Sequence, residues 1–178
     1  PEPTGPPSTA PLSLLSSMVG APVPVVPAPP SPTVAPTSIT IEAMGITYPV
    51  RGVGLQLDGQ LEIPDETEVG WYRLGAAPGE PGSTVLAGHV SWNRVDGPFR
   101  DLPTLEPGAS VRLDLADGST REYQVVERTQ YPKLALPAER IWATAGPETL
   151  VLITCGGDFN PEIRRYRDNI VVYAVPIA

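Results

Sequence analysis

The 178-residue chain carries 12 lysines and arginines against 20 aspartates and glutamates, which gives a formal net charge of −8. A protein that neutralises phosphates needs a basic surface, so this charge balance argues against a nucleic-acid partner. One cysteine and one histidine cannot form an intramolecular disulfide and are too few for a structural zinc site. We therefore expect no metal and no cofactor.

Prolines are concentrated at the beginning of the chain. Residues 1–36 contain 12 of the 24 prolines, one charged residue and no aromatic residue. A segment of this composition buries too little apolar surface to offset the entropy lost when it becomes ordered. We therefore interpret residues 1–37 as a Pro/Ala/Ser-rich spacer and residues 38–178 as one folded domain. No uninterrupted apolar window of about 18 residues is present, and we expect any membrane anchor to precede Pro1.

The folded part shows many short strands separated by Gly and Pro turns. Asp-Gly pairs at 58–59 and 117–118 predict two β-hairpins. Helical patterns are confined to 98–105 and 138–143. Short strands with a turn about every 8–12 residues are typical of an all-β barrel or sandwich. The predicted strands are 38–41, 52–57, 60–63, 69–73, 83–90, 110–115, 121–128, 150–154 and 169–175.

Cys155 lies where the apolar strand 150–154 meets the turn Gly156-Gly157. A side chain in this position is held by the sheet and can face a cleft. Cysteine catalysis needs a thiolate, a proton carrier and a group that stabilises an oxyanion. His89, near the end of the predicted strand 83–90, is the only histidine, and hence the only partner for a Cys/His pair.

Three arginines, Arg164, Arg165 and Arg167, follow the cysteine within 12 residues. If the strands 150–154 and 169–175 are neighbours, the loop between them returns an arginine to the cysteine's end of the sheet. On spacing alone, other interpretations stay open: a buried structural cysteine, a structural histidine and a solvated arginine loop.

Three segments together resemble the sortase family of cysteine transpeptidases. Leu-Ile-Thr-Cys at 152–155 is similar to the end of the family's Thr-Leu-x-Thr-Cys motif. Leu-Ala-Gly-His-Val at 86–90 is similar to its Ala/Gly-His strand end. Arg-Asp-Asn-Ile-Val-Val-Tyr-Ala at 167–174 resembles its final strand, with the arginine at the start. The order His, Cys, Arg agrees as well, and the resemblance covers about residues 38–178.

Finer features most resemble the actinobacterial class F sortases. These are Gly97-Pro98-Phe99 after the histidine, Thr-Cys-Gly-Gly at 154–157 and Tyr-Arg-Asp-Asn at 166–169. Val151 departs from the family motif, which often has threonine at that place. We expect Val151 to face the core, where the exchange does no harm.

The resemblance implies a closed β-barrel of about eight strands with one or two short helices. It also implies an enzyme that cleaves a Leu-Pro-x-Thr-Gly-like signal between Thr and Gly, holds the acyl group as a thioester and transfers it to an amine. The expected partners are secreted proteins with a C-terminal sorting signal and an amine acceptor of the cell wall or of a pilin. We expect an extracytoplasmic monomer at the cell surface, membrane-attached through an anchor before Pro1.

The resemblance also assigns roles to the three residue types. Cys155 attacks the carbonyl carbon, and His89 protonates the leaving amine and later takes a proton from the incoming one. Arg167 is expected to hold the oxyanion because it lies closest to the final strand. Arg165 and Arg164 are the alternatives, and Arg165 shares the strand face of Arg167 if the strand extends back.

By the same resemblance, residues 131–142, which precede the cysteine strand, correspond to the sortase loop that lines the pocket for the signal. Its candidate substrate-binding residues are Leu134, Leu136, Ile141 and Trp142, and core packing is an equal alternative for each. Two other functions stay open at this point. One is a cysteine peptidase or hydrolase, and the other is a non-catalytic β-barrel binding module.

Overall fold

The computed structural model describes residues 34–162 and 165–178, and within them it shows ten strands and four short helical turns. The one α-helical turn is Ala138–Ile141, and 3₁₀ turns are found at Glu42–Met44, Leu102–Thr104 and Lys133–Ala135. The strands are β1 Pro36–Ile41, β2 Ile46–Val53, β3 Val69–Tyr72, β4 Ser83–Ala87, β5 Ser91–Trp92, β6 Val95–Asp96, β7 Ser110–Leu115, β8 Thr120–Pro132, β9 Thr149–Asn160 and β10 Arg165–Pro176.

Eight of these strands close into a barrel in the order β1-β2-β3-β4-β9-β10-β8-β7, and β5 and β6 form a separate hairpin. This confirms the predicted all-β barrel of about eight strands. Most neighbouring strands are antiparallel, but β2 pairs with β3 and β4 pairs with β9 in parallel. The β4–β9 register runs from Ser83 opposite Thr149 to Ala87 opposite Ile153.

Apolar side chains pack on both faces of the strands that lead to the cysteine. Alternate residues of β9 enter two different clusters, Leu150 and Leu152 in one and Val151 and Ile153 in the other. The first cluster draws residues from seven of the eight barrel strands and therefore fills the interior. The second lies on the outer face of β4, β9 and β10, beneath the connection between β8 and β9. Val151 is fully buried there, so its predicted burial is confirmed.

Two predicted turns have different outcomes. Gly118, with φ of +84°, closes the β7–β8 hairpin as predicted. Gly59, with φ of +80°, also turns the chain, but the flanking segments form a single bridge between Leu55 and Leu61 instead of two strands. The strand in this region lies earlier, as β2, because Ile46 to Pro49 pair with β1.

The predicted helix at 98–105 is wrong: the structure has a 3₁₀ turn at Leu102–Thr104. Phe99, Leu102 and Leu105 are all buried, and their spacing of three residues suits 3₁₀ geometry rather than an α-helix. The helix predicted at 138–143 is a turn of four residues, Ala138–Ile141.

The barrel begins slightly before the predicted domain boundary. β1 starts at Pro36, which pairs with Leu115, and Val34 and Ala35 pack against the interior cluster. The boundary between 37 and 38 therefore falls inside β1. The rest of the proposed spacer, residues 1–33, lies outside the described residues.

Glu148 connects three parts of the barrel at the beginning of β9. Its carboxylate accepts hydrogen bonds from Arg121 Nη2 at 2.6 Å, Tyr123 Oη at 2.7 Å and Gly79 N at 2.8 Å. Burial alone would raise the pKa of Glu148, but these donors, Arg121 foremost, hold it below its ordinary value. The resulting stabilisation is present at neutral pH and is lost as the pH falls through the lowered pKa.

Glu148→Gln should therefore lower the free energy of unfolding by about 1–2 kcal/mol, because three donors lose a charged acceptor. Urea denaturation measures this difference. Glu106→Gln is the matched control: Glu106 pairs with Arg128 and its side chain is 72% exposed, so its loss should cost less than about 1 kcal/mol. Equal losses in the two variants would contradict the connecting role of Glu148.

Candidate functional site

The parallel pairing of β4 with β9 brings Cys155 and His89 to the same end of the barrel. The last ladder pair is Ala87 and Ile153, and both belong to the outer cluster. The chain then runs one residue further beside β9, because Gly88 N donates to Ile153 O at 3.2 Å and Thr154 Oγ1 donates to Gly88 O at 2.7 Å. Side chains alternate along a strand. His89 and Cys155 are each two residues beyond the last pair and thus follow it on the same outer face.

The Cys155 thiol is enclosed, with 8% of the residue exposed. Lys133, from the 3₁₀ turn after β8, places its Nζ 3.7 Å from Cys155 Sγ. Burial raises the pKa of the Cys155 thiol, and the charge of Lys133 and its hydrogen bond act in the opposite direction. The cross-strand partner of Cys155 on β10 is Asn169, whose Nδ2 donates a hydrogen bond to Thr154 O at 3.0 Å.

His89 is held from several sides and is also 8% exposed. Its imidazole donates to the carbonyl oxygen of Pro64, and its ring lies 4.8 Å from the ring of Trp92 in the β5–β6 hairpin. Burial lowers the pKa of His89, whereas Pro64 and the carboxylates of Glu66 and Asp65 raise it. The sequence places no carboxylate beside His89, but the loop before β3 supplies two.

The segment Gly97-Pro98-Phe99 fixes the backbone of the histidine. Phe99 N donates to His89 O at 3.0 Å, and the Phe99 ring is fully buried in the interior cluster. A Cβ added at Gly97 would lie 2.2 Å from His89 O, so a side chain there would push the histidine away. This segment therefore needs glycine at its first position and a large apolar residue at its third.

Arg167 lies on β10 itself rather than before it. It is two residues from Asn169, the partner of Cys155, and shares its strand face. Opposite Arg167, β9 contains a bulge in which Gly157 takes a φ of +71°. Arg167 is exposed and lines a cavity of about 300 Å³ with Phe159 and neighbouring residues of the β9–β10 hairpin.

The alternative Arg165 is further along the strand from the cysteine than Arg167 is. Arg165 pairs with Asn160, four residues or about 13 Å along the strand from the position opposite Cys155. Arg167 is two residues or about 7 Å along. Arg165 and Arg167 share a strand face, as predicted, because β10 extends back to residue 165. Arg164 lies outside the described residues.

The four candidate substrate-binding residues fall into two groups. Leu136, Ile141 and Trp142 are buried in the outer cluster, where they pack against β4, β9 and β10. Leu134 is 87% exposed. Next to it, Lys133 contacts the cysteine sulfur, so Leu134 lies on the surface beside the site.

Two exposed aromatic side chains that sequence reasoning missed lie on segments next to His89 and Cys155. Trp92 covers His89 and is itself about half exposed. Phe159 is exposed on the β9–β10 hairpin, and its ring packs edge-on against Tyr166 at 5.2 Å. We call Leu134, Trp92 and Phe159 the exposed rim: Trp92 contacts His89, Leu134 follows Lys133, and Phe159 lies four residues beyond Cys155 on β9. The sequence feature that could have identified them is a single aromatic residue beside turn-forming residues, as at Trp92-Asn93 and Phe159-Asn160-Pro161.

Across 34–162 and 165–178, no three His, Cys, Asp or Glu side chains are grouped so that they could hold a metal ion. In that part of the chain, none of the helices is both long and apolar enough to cross a membrane.

Comparison with known families and structures adds independent information. The family model described as "Sortase domain" matches residues 39–177. A Clostridium perfringens sortase D5 transpeptidase has a TM-score of 0.61 at 22% identity, over 81% of this chain and 79% of that one. Sortase C1 from Streptococcus suis has a TM-score of 0.62 at 18% identity, over 82% and 74% of the chains. Sortase C-1 from Actinomyces oris has a TM-score of 0.61 at 20% identity, over 79% and 73%. Comparison with curated protein sequences returns no significant match.

The single histidine allows a direct test of the site's electrostatics. By NMR titration, we expect the pKa of His89 below its ordinary value of about 6.5, because burial disfavours the charged ring. Trp92→Ala uncovers the ring and should move this pKa up, towards the ordinary value. Val95→Ala, in the same hairpin, is the control and should leave it unchanged. A wild-type pKa above 6.5, or a fall in Trp92→Ala, would contradict the described burial.

Proposed function

The chain belongs to the sortase family, and from that premise we propose that Cys155, His89 and Arg167 perform its transpeptidation. The family membership makes the chain a cysteine transpeptidase with a sortase barrel. The observation that most supports the residue assignment is the parallel β4–β9 pairing, which puts the only cysteine and the only histidine on one face at one end of the barrel.

In the first half-reaction, Cys155 Sγ attacks the carbonyl carbon of the scissile peptide bond and forms a tetrahedral oxyanion. Arg167 approaches from β10 with a planar set of donors that suits the developing negative charge. His89 protonates the leaving amine, the C–N bond breaks and a thioester remains. In the second half-reaction an amine attacks the thioester, His89 takes its proton, and the thiolate leaves.

The surroundings of Cys155 and His89 favour the neutral form of the pair. Burial raises the pKa of Cys155 and lowers that of His89, so both changes disfavour a thiolate beside an imidazolium. The reactive ionised form therefore needs stabilisation by further charges near the sulfur.

The proposed substrate is a Leu-Pro-x-Thr-Gly-like sorting signal, cleaved between Thr and Gly, on a secreted protein. Its apolar part would bind the exposed rim of Leu134, Trp92 and Phe159. Leu136, Ile141 and Trp142 would support Leu134, because they pack the β8–β9 connection against the barrel. The acceptor is an amine of the cell wall or of a pilin.

We also propose that the chain is of the class F type and acts as a monomer. This subtype rests on residues 97–99, 154–157 and 166–169, of which 97–99 support the histidine backbone. The class C and class D structures named above share at most 22% identity with it, a level that shows the fold alone. Sortases act at the cell surface, and residues 1–33, which precede the barrel in the chain, would connect the domain to a membrane anchor.

A peptide containing Leu-Pro-x-Thr-Gly and a separate amine nucleophile test the function. Cys155→Ala should abolish the amine-dependent product while the barrel stays folded by circular dichroism. His89→Ala should reduce it about 10²–10⁴-fold, the usual contribution of general acid–base catalysis. Product in Cys155→Ala, or a loss under about threefold in His89→Ala, would contradict the assignment. Cleavage at an unchanged rate without the amine, giving only a free acid, would indicate a hydrolase.

The arginines are separated by a matched set of variants. Arg167→Ala should lower turnover by about 10²-fold or more, the cost of losing one oxyanion donor. Arg165 lies on the same strand face but about 13 Å along the strand from the position opposite Cys155. The turnover of Arg165→Ala should therefore stay within about tenfold of the wild type, and we expect the same of Arg164→Ala. Arg167→Lys should also be poor, because an ammonium does not reproduce the planar fork. A defect centred on Arg165 or Arg164 would move the role to that residue.

A further inference from the structure

The sequence contains one lysine, Lys133, among its 12 basic residues, and the other 11 are arginines. This lysine is 8% exposed, whereas lysine is almost never fully buried unless it is paired. Its Nζ lies 3.7 Å from Cys155 Sγ. The position is reached because β8 ends at Pro132 beside Asp168 of β10, and the following 3₁₀ turn carries Lys133 to Cys155 in the middle of β9.

We propose that Lys133 is the charge partner of the Cys155 thiolate and sets the pH at which the nucleophile becomes reactive. The inference rests on the proposed role of Cys155 as nucleophile and extends it. An opposite charge within about 4–6 Å stabilises the ionised form of a group, and the effect is larger where solvent is excluded. Both side chains are buried, so their interaction is little screened by water or salt.

The other titratable groups around the sulfur come from neighbouring elements. His89 approaches from the end of β4, but its burial favours the neutral ring. Arg167 on β10 is exposed. Tyr131 on β8 is the cross-strand partner of Asn169 on β10. Asp168 of β10 lies beside Gly157, and its carboxylate accepts a hydrogen bond from Gln130 Nε2. Lys133 is the cation whose distance to the sulfur suits direct pairing.

A lysine suits this role better than an arginine would. Its compact ammonium directs one of three donors at the sulfur without requiring a planar partner. A thiolate accepts a strong, charge-assisted hydrogen bond from such a donor, whereas the neutral thiol gains less stabilisation from it. The lysine therefore favours ionisation of the cysteine. In the proposed reaction Lys133 keeps its proton throughout: it stabilises the sulfur's charge before attack and again when the thiolate leaves the thioester.

The test is the pH dependence of alkylation of Cys155 by iodoacetamide, which needs no peptide substrate. The chain has one cysteine, so the rate reports on that sulfur alone. In Lys133→Met the midpoint of the rate against pH should rise by about one pH unit or more. At a fixed pH well below the midpoint, the alkylation rate should fall about tenfold for each unit by which the midpoint rises. Lys133→Arg, which keeps the charge, should lie closer to the wild type than Lys133→Met does.

Arg112→Met is the matched control, because it also removes one positive charge but lies on β7, three barrel strands from β9. Its midpoint should equal that of the wild type. If Lys133→Met folds poorly, Lys133→Gln replaces it, with the same expected shift. The transfer reaction provides a second readout: its pH profile should move up by the same amount in the lysine variant.

An unchanged midpoint in Lys133→Met, or an equal shift in Lys133→Arg, would overturn the inference. Transfer activity lost without any change in the midpoint would also overturn it, since that result indicates a structural role. These outcomes are distinct from failure of the proposed function, in which Cys155→Ala would still form product whatever the alkylation profile shows.

Discussion

The candidate site depends on one constraint, the parallel pairing of β4 with β9. Two parallel strands end at the same edge of a sheet, whereas an antiparallel pair would place their ends apart. His89 follows β4 and Cys155 lies near the same edge of β9, so two residues 66 positions apart in the chain lie beyond the same end of the β4–β9 ladder. The hydrogen bond of Thr154 Oγ1 to Gly88 O continues this pairing up to the site itself.

Burial has a cost for this arrangement, because it disfavours both the thiolate and the imidazolium. The surroundings compensate from elements that do not belong to the catalytic strands. Lys133 approaches the sulfur from the β8–β9 connection, and Pro64 holds the imidazole from the loop before β3. The pKa values of Cys155 and His89 are therefore adjusted by contacts with segments remote in the chain, while the barrel sets the positions of the two residues.

This division explains what could be predicted from the sequence. The strands that lead to Cys155 and His89 are short, largely apolar runs followed by glycine. This pattern predicted both the all-β fold and the position of Cys155 and His89 near strand ends. The contacts of Lys133, Pro64 and Trp92 join residues far apart in the chain, and no local pattern specifies them. Gly157 also misled the prediction of β9: it was interpreted as the end of the strand, but its left-handed conformation forms a bulge through which β9 continues to Asn160.

The position of the exposed rim has a consequence for how such a protein can diversify. Trp92 and Phe159 lie on hairpins that extend beyond the barrel, and Leu134 lies on a short connecting turn. None of the three fills the interior cluster, so an exchange there removes little of the packing that holds the barrel closed. If the rim binds the sorting signal as proposed, preference for a different peptide can be selected, or engineered by grafting these segments, while the strands bearing the cysteine and histidine stay unchanged.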